Sequence, residues 1–593
     1  MAHVPPTRPT LTGNFGMVAS THWLASSSAM SVLENGGNAF DAAVAAGFVL
    51  QVVEPNLSGP AGEMPAVLWS ERDQRVDVVC GQGTAPAAAT IEHIRNDLGL
   101  DVVPGTGTLP AVVPGAFGGW MLLLQRWGTW RLADVLRYAI GYARDGFPTA
   151  PLVAQAIENV ADMFRTDWPT SAAAWLDHGQ VPAVGSRLRR LRLAETYERV
   201  IREAARPDRD AEIDAAVDVW YRGFVADEID RFCQSDPWID TSGECHRGLL
   251  TGDDMAGWSA TVEAPASFAF GDCTVFKTDA WGQGPVFLQQ LALLDAAGIR
   301  SIPYGSAEYI HLLLEAGKLA FADREAWYGD SGTIDDLVPR LLDRSYNCAR
   351  AVLIDDTASL ELRPGSIAGR VPHLPRHDLV GAARGVGYGE PTLGTRGHVS
   401  GDTCHVDVVD RWGNMVSATP SGGWLHSSPD IPSLGFCLGT RAQMFCLEHG
   451  HPNSLRPGAR PRTTLTPSLA FRDGRPWLAF GTPGGDQQDQ WSLAFFCAVV
   501  LGGLSLQEAI DAPAFTSEHF PGSFYPHESH PGRVRMESRF DAAVVDDLRR
   551  RGHDVVPVAP WSLGRLSAVS RDGDGFYRAA ANARGDLGYA VGR

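Results

Sequence analysis

Residues 401–423 read GDTCHVDVVDRWGNMVSATPSGG. A hydroxyl residue, Thr403, opens a run in which HVDVVD and NMVSATPS alternate in character across a Gly-containing turn, the pattern of paired strands. The stretch before it, Asp355–Gly401, is rich in Gly, Pro, Arg and His without a sustained period and reads as a flexible connector. A hydroxyl at a strand start, directly after a connector, is where chain cleavage would create chemistry. Cutting the Asp402–Thr403 bond would free an α-amine, whose pKa of about 7.7–8.0 lets it take the hydroxyl proton near neutral pH. The intact amide has no such basicity. Asp402 and Thr403 are therefore the candidate cleavage site and Thr403 the candidate nucleophile. On these residues alone Cys404 stays a rival, because a thiol is intrinsically more nucleophilic.

Further along, FGTPGGDQQDQW (480–491) ends a predicted strand at Phe480 and turns sharply at Pro483-Gly484-Gly485. Backbone N–H groups at such a turn can stabilise a developing oxyanion. RPRTTLTPS sets Thr463, Thr464 and Thr466 near a strand start, either lining a polar pocket or serving as β-formers. Towards the N-terminus, the first long helix is expected after the Gly36–Asn38 corner, with Asp41 in its first turn. Its apolar stretch AAVAAGFVLQVV falls short of the roughly 20 residues a bilayer requires, which predicts a buried helix. EPNLSGPAG (54–62) is turn-rich, and PAVLWSERDQRVDVVCG reads as a hairpin. Residues 130–206 read as mostly helical, with RLRRLRLAETYERVIREAAR an outer amphipathic helix, and 307–330 is strongly periodic. The chain thus divides into a helix-rich part, 1–402, ending in a linker at about 355–402, and a strand-rich part, 403–593.

The net charge of −19, from 50 basic and 69 acidic residues, argues against a nucleic-acid partner. Nine scattered cysteines without a C-x-x-C pair point to reduced thiols in a cytoplasm rather than a zinc or disulfide scaffold. The N-terminus lacks the basic and apolar regions of a secretory signal, and no membrane partner is expected. GVGYGE (385–390) lacks the strand and helix of a dinucleotide loop. There is no G-x-S-x-G elbow for an intact Ser/His/Asp esterase and no H-E-x-x-H. His311 and Glu315 share a helix face and read as structural. Neither a metal nor an organic cofactor is expected.

Taken in order, these elements resemble the γ-glutamyltransferase (glutathione hydrolase) family over almost the whole chain. GMVASTHWLASSSAMSVLENGGNAFDAAVAA, VVEPNLSGPAG, GTAPAAAT, VPGAFGGW, GWSATVEAP, EAGKLAFADRE, TCHVDVVDRWGNMVSAT, RPRTTLTPSL and GTPGG fall in the family's sequence order. The resemblance implies a four-layer αββα Ntn-hydrolase sandwich built jointly by a large and a small subunit cut from one chain, possibly assembled further as a dimer of heterodimers. It also implies an acyl-enzyme on the new N-terminal threonine, with an amide substrate and water or an amine as acceptor. It assigns the nucleophile to Thr403 over Cys404. Ser421 falls where the family has a threonine bonded to the nucleophile, Thr463 and Thr464 where paired serines hold the substrate, and Gly484 and Gly485 at the oxyanion-hole glycines.

Departures from the family pattern concern the acyl group. The arginine for the glutamyl α-carboxylate is replaced by Gln82, the acidic residue for the α-amine falls near Met444, and an asparagine is replaced by Gly423. GGDQQDQ, with Asp486 at the substrate, and the arginine of LGTRAQMF resemble a divergent branch that includes glutathione-hydrolase-like and oxamate amidohydrolase proenzymes. There Arg441 is the candidate to bind an anionic acyl group. Trp281, Trp424 and Trp491 are candidates to line an apolar acyl pocket of the cephalosporin-acylase kind. Besides an amide hydrolase or acyltransferase, the changed residues leave open a non-catalytic Ntn-fold binding protein.

Overall fold

A computed structural model of the chain describes residues 6–330, 334, 336–376 and 403–593. Asp402 and the end of the predicted connector lie outside the described residues.

The alternation after Thr403 forms strands Val406–Val409 and Met415–Ala418, paired antiparallel. Val406–Val409 also pairs with Met17–Ser20, and Met415–Ala418 with Met64–Ser70. The predicted hairpin is Met64–Ser70 with Arg75–Gly81, register Ser70 to Arg75. Tyr589–Gly592 and Thr261–Glu263 complete this seven-stranded sheet at its two edges. A second seven-stranded sheet runs in the order Leu11–Gly13, Tyr577–Ala581, Ser567–Arg571, Arg475–Gly481, Ser468–Arg472, Cys273–Lys277, Ala266–Phe270. Each sheet therefore takes strands from both sides of the Thr403 junction. The helix-rich first part also contributes strands, several of them only two to four residues long, where alternation is too brief to stand out in sequence.

Period two along each strand sorts side chains into layers. Met17, Ala19, Val67, Trp69 and Val78 of the first sheet meet Leu469, Ala479, Val569 and Ala579 of the second in one inner layer. The other face of the first sheet packs on helices Trp23–Glu34, Ala39–Val53 and Ala116–Trp127. The outer face of the second packs on Gly284–Ala296, Ala307–Trp327 and Gln488–Val500. This is the αββα sandwich.

Every residue of Ala39–Val53 is buried. Its alanines allow that close approach, and Gly47 allows more: any side chain there would overlap Trp120. Asn38 and Asp41 form a capping box at its start, satisfying helix N–H groups that burial keeps from water. Helix Trp23–Glu34 precedes it and has no acidic first turn, so it carries no start signal of that kind. Among the described residues no helix is long and apolar enough to cross a membrane.

Candidate active site

Strand register assembles the site. Thr403 bridges Ser421, and Ser421 bridges Glu63. One step beyond the Met64–Gly81 pair, the same antiparallel register sets Gln82 opposite Glu63. Opposed residues in antiparallel strands project to the same face. Trp69 and Val67, in step with Glu63, and Val78 and Cys80, in step with Gln82, all lie in the layer between the sheets. The row Thr403–Ser421–Glu63–Gln82 therefore points between the two sheets, at their end, and none of the four is more than 1% exposed.

Along the row the Thr403 hydroxyl donates to Ser421 Oγ at 3.4 Å. Arg441 donates to Ser421 Oγ at 2.5 Å and to Glu63 Oε2 at 2.9 Å. Laid end to end, the 3.4 Å and 2.5 Å contacts bring the Arg441 guanidinium within about 6 Å of the Thr403 oxygen. Its remaining face packs on Trp424 and Phe524, with Met444 Sδ 3.9 Å from Nη1. Trp424, Met444 and Phe524 form one buried apolar cluster. Arg441 thus offers spare N–H donors, but Glu63 balances its charge. Glu63 is a residue the sequence reading missed. It directly precedes the hairpin, but what carries it to Ser421 is the pairing of Met64–Ser70 with Met415–Ala418, which no local pattern in the sequence marks.

The strand that leads into the glycine turn, on the other sheet, meets the residues that follow Thr403. His405, in step with Thr403, lies against Gly481, where any side chain would overlap the imidazole. Its Nδ1 lies 2.9 Å from Thr419 Oγ1 and its Nε2 2.9 Å from Asp407 Oδ1, and Asp407 accepts from Ser567 Oγ at 2.8 Å. This buried network ties the strand that follows Thr403 to Ser567–Arg571, the neighbour of the strand that ends at Gly481. The chain then turns through Gly484 and Gly485, with φ of 125° and 51°, a region glycine enters without strain. A Cβ at Gly484 would overlap Trp491. Helix Gln488–Val500 starts three residues after Gly485, directing the positive end of its dipole at the turn.

Cys404 faces away from the row, into the helix-covered side of the sheet. Its thiol donates to Glu54 Oε2 at 3.3 Å, and the Thr21 hydroxyl donates to the same oxygen at 2.5 Å. Burial, with the neighbouring Glu54 carboxylate, holds the thiol well above its usual pKa. Burial likewise raises Glu54. A thiol so placed is neither ionised nor turned toward the cleft.

The other expected residues divide. Thr463 donates its N–H to Trp281 O at 3.0 Å, and its Oγ1 accepts the Leu465 N–H at 3.3 Å. Thr464 Oγ1 is buried without a hydrogen-bond partner among the described residues. Thr466 donates to Asp489, which pairs with Lys277 at 3.0 Å in a wholly buried ion pair. The Asp486 carboxylate is occupied by Arg324 and by the N–H and hydroxyl of Ser523, and its turn by this pairing is held in place. Of the three tryptophans, Trp424 sits against Arg441, Trp491 backs Gly484, and Trp281 donates to Glu263 at 2.7 Å. His311 contacts His553, and Glu315 is paired with Lys318.

The chain matches the family described as gamma-glutamyltranspeptidase over residues 25–592. It belongs to that family. It is 29% identical to the glutathione hydrolase-like YwrD proenzyme of Bacillus subtilis (strain 168), over 98% of this chain and 99% of that one. It is 29% identical to the oxamate amidohydrolase proenzyme of Klebsiella pneumoniae subsp. pneumoniae, over 97% and 98%. The solved structure of LmbA2991HD superposes with a TM-score of 0.92 at 55% identity, covering 100% of both chains. As a gamma-glutamyltranspeptidase-family protein, the chain is an enzyme of the amide hydrolase and acyltransferase kind, and its relatives are named as proenzymes.

Proposed function

We propose that the chain cuts itself between Asp402 and Thr403 and then works as an N-terminal-threonine amide hydrolase. The observation that carries this reading is the buried row that joins the Thr403 hydroxyl to Ser421 and Arg441. In acylation the Thr403 oxygen bonds to the substrate carbonyl carbon. The hydroxyl proton passes to the new α-amine and on to the leaving nitrogen as the C–N bond breaks. Arg441, donating to Ser421 Oγ, makes the Ser421 O–H a better donor, ready to stabilise the Thr403 oxygen as negative charge develops. Gly484 and Gly485 amides hold the carbonyl oxygen. Water or an amine then attacks the ester and returns Thr403 with its proton.

Cleavage would not release the pieces. Val406–Val409 and Met415–Ala418 lie between Met17–Ser20 and Met64–Ser70 in one sheet, so residues 1–402 and 403–593 persist as large and small subunits. The acyl group is one other than γ-glutamyl: neither Gln82 nor the apolar Met444 supplies a charge for an α-amino acid headgroup, and burying an unpaired charge costs several kcal/mol, of order 3–5. We assign the enzyme to the cytoplasm on its scattered thiols.

A denaturing gel with intact-mass measurement tests the reading. Two fragments meeting between Asp402 and Thr403, absent in Thr403→Ala, are expected. A single uncut chain under all conditions would overturn it. Fast turnover of γ-glutamyl anilides would overturn the substrate part alone.

A further inference from the structure

Gln82 carries a consequence of its own. Its side chain is 1% exposed, and neither Oε1 nor Nε2 has a hydrogen-bond partner among the described residues. Buried amides are almost always satisfied, and an exception calls for a cause. The backbone gives this one no escape. Gly81 and Gly115 pack against each other so closely that neither has room for a side chain, Gly83 presses on Val113, and Trp258 Nε1 donates to Gln82 O at 3.3 Å. Register fixes the side chain on the face of Glu63, Ser421 and Thr403. The Thr463–Thr464 segment is linked to the strand that carries Gln82 through Arg460 and Trp281. Cys80, in step with Gln82, accepts from Arg460 at 3.3 Å. Arg460 stacks on Trp281, and Trp281 O accepts the Thr463 N–H. Thr464 Oγ1 is a further buried polar group without a hydrogen-bond partner among the described residues.

We infer that Gln82 is a specificity-determining residue that hydrogen-bonds a neutral donor–acceptor group, a carboxamide or its equivalent, on the acyl portion of the substrate. This rests on the amide-hydrolase reading of the row. A carboxylate there would have to compete for cations already matched, Arg441 by Glu63 and Arg460 by Glu263 and Asp330. An alkyl terminus would leave both ends of the Gln82 amide unmatched. Only a group that both donates and accepts completes it, and a site built to hydrogen-bond discriminates strongly against analogues that cannot.

The test uses the self-processed enzyme and three p-nitroanilides of equal acyl length, ending in a carboxamide, a carboxylate or a methyl group, each in four- and five-carbon forms. The carboxamide probe is expected to lead both others by tenfold or more in kcat/KM, on the order of one to two lost hydrogen bonds. In Gln82→Leu the ratio of carboxamide to methyl turnover is expected to fall to about unity, and Gln82→Arg to favour the carboxylate probe. Thermal midpoint and extent of self-cleavage establish that each variant is folded. A carboxamide probe no better than the methyl probe in the wild type overturns the inference. So does an unchanged ratio in a folded Gln82→Leu. If the chain stays uncut and no probe acylates it by mass, the hydrolase reading itself falls, and the inference with it.

Discussion

Removing the Ser421 hydroxyl isolates the link between Arg441 and the nucleophile. In Ser421→Ala the Thr403 hydroxyl loses its 3.4 Å acceptor and Arg441 its 2.5 Å acceptor. A hydrogen bond to a charged group contributes about 1.5–3 kcal/mol, so kcat/KM should fall by about 10- to 150-fold at roughly 1.4 kcal/mol per decade. A separate cost falls on stability: a buried guanidinium N–H left unpaired is worth about 1–3 kcal/mol, read as a lower urea midpoint with unchanged slope. The two effects part in Ser421→Thr, which restores the oxygen and should recover most of both. The assays are initial rates with an anilide substrate on fully processed protein, the time course of self-cleavage, and urea unfolding. A folded Ser421→Ala that processes normally and keeps kcat/KM within threefold of the wild type would refute a role for Ser421 at the nucleophile.

Cys404→Ala should keep kcat/KM within a few-fold, because the thiol faces the helices; loss of activity equal to that of Thr403→Ala would reverse the assignment of the nucleophile. Gly484→Ala should cut kcat/KM by at least tenfold, since its Cβ would overlap Trp491 and its φ of 125° is strained for alanine; unaltered kinetics would remove the turn from the site. The pH profile of kcat/KM should rise to a plateau as the Thr403 α-amine loses its proton. Its midpoint should lie at or below about 8, because burial disfavours the charged amine, and a flat profile from pH 5 to 9 would count against the amine as base. Glu54 has its folded-state pKa raised by burial, so the stability it contributes is present at low pH and is lost as pH rises through that value. Glu54→Gln should therefore gain in thermal midpoint relative to wild type as pH increases, and a pH-independent difference would show that Glu54 is not the titrating group.

Much of the architecture was legible because it is local. The hairpin at 64–81, the buried helix at 39–53 and the strands at 406–418 and 468–481 each announce themselves by period and turn chemistry. The site was legible only in part. Thr403, Gly484 and Gly485 sit beside turns and strand starts that a reader can place. Glu63 carries no such mark, and neither does the bond between Arg441 and Ser421, because both depend on which strands lie side by side. Cys404 and Thr403 are neighbours in sequence and equally plausible there. Strand alternation sends one into the helix layer and the other between the sheets.

By itself, then, the sequence determined the family, the elements and the point where a cut would create a base, since these rest on residue order and local backbone preference. The tertiary structure decided which face each side chain takes and which charges meet. It set Gln82, Glu63, Ser421 and Thr403 in a single row, because antiparallel register joins residues hundreds of positions apart, and it matched Arg441 with Glu63. Buried groups are bound by what they meet across strands, and no local pattern records that.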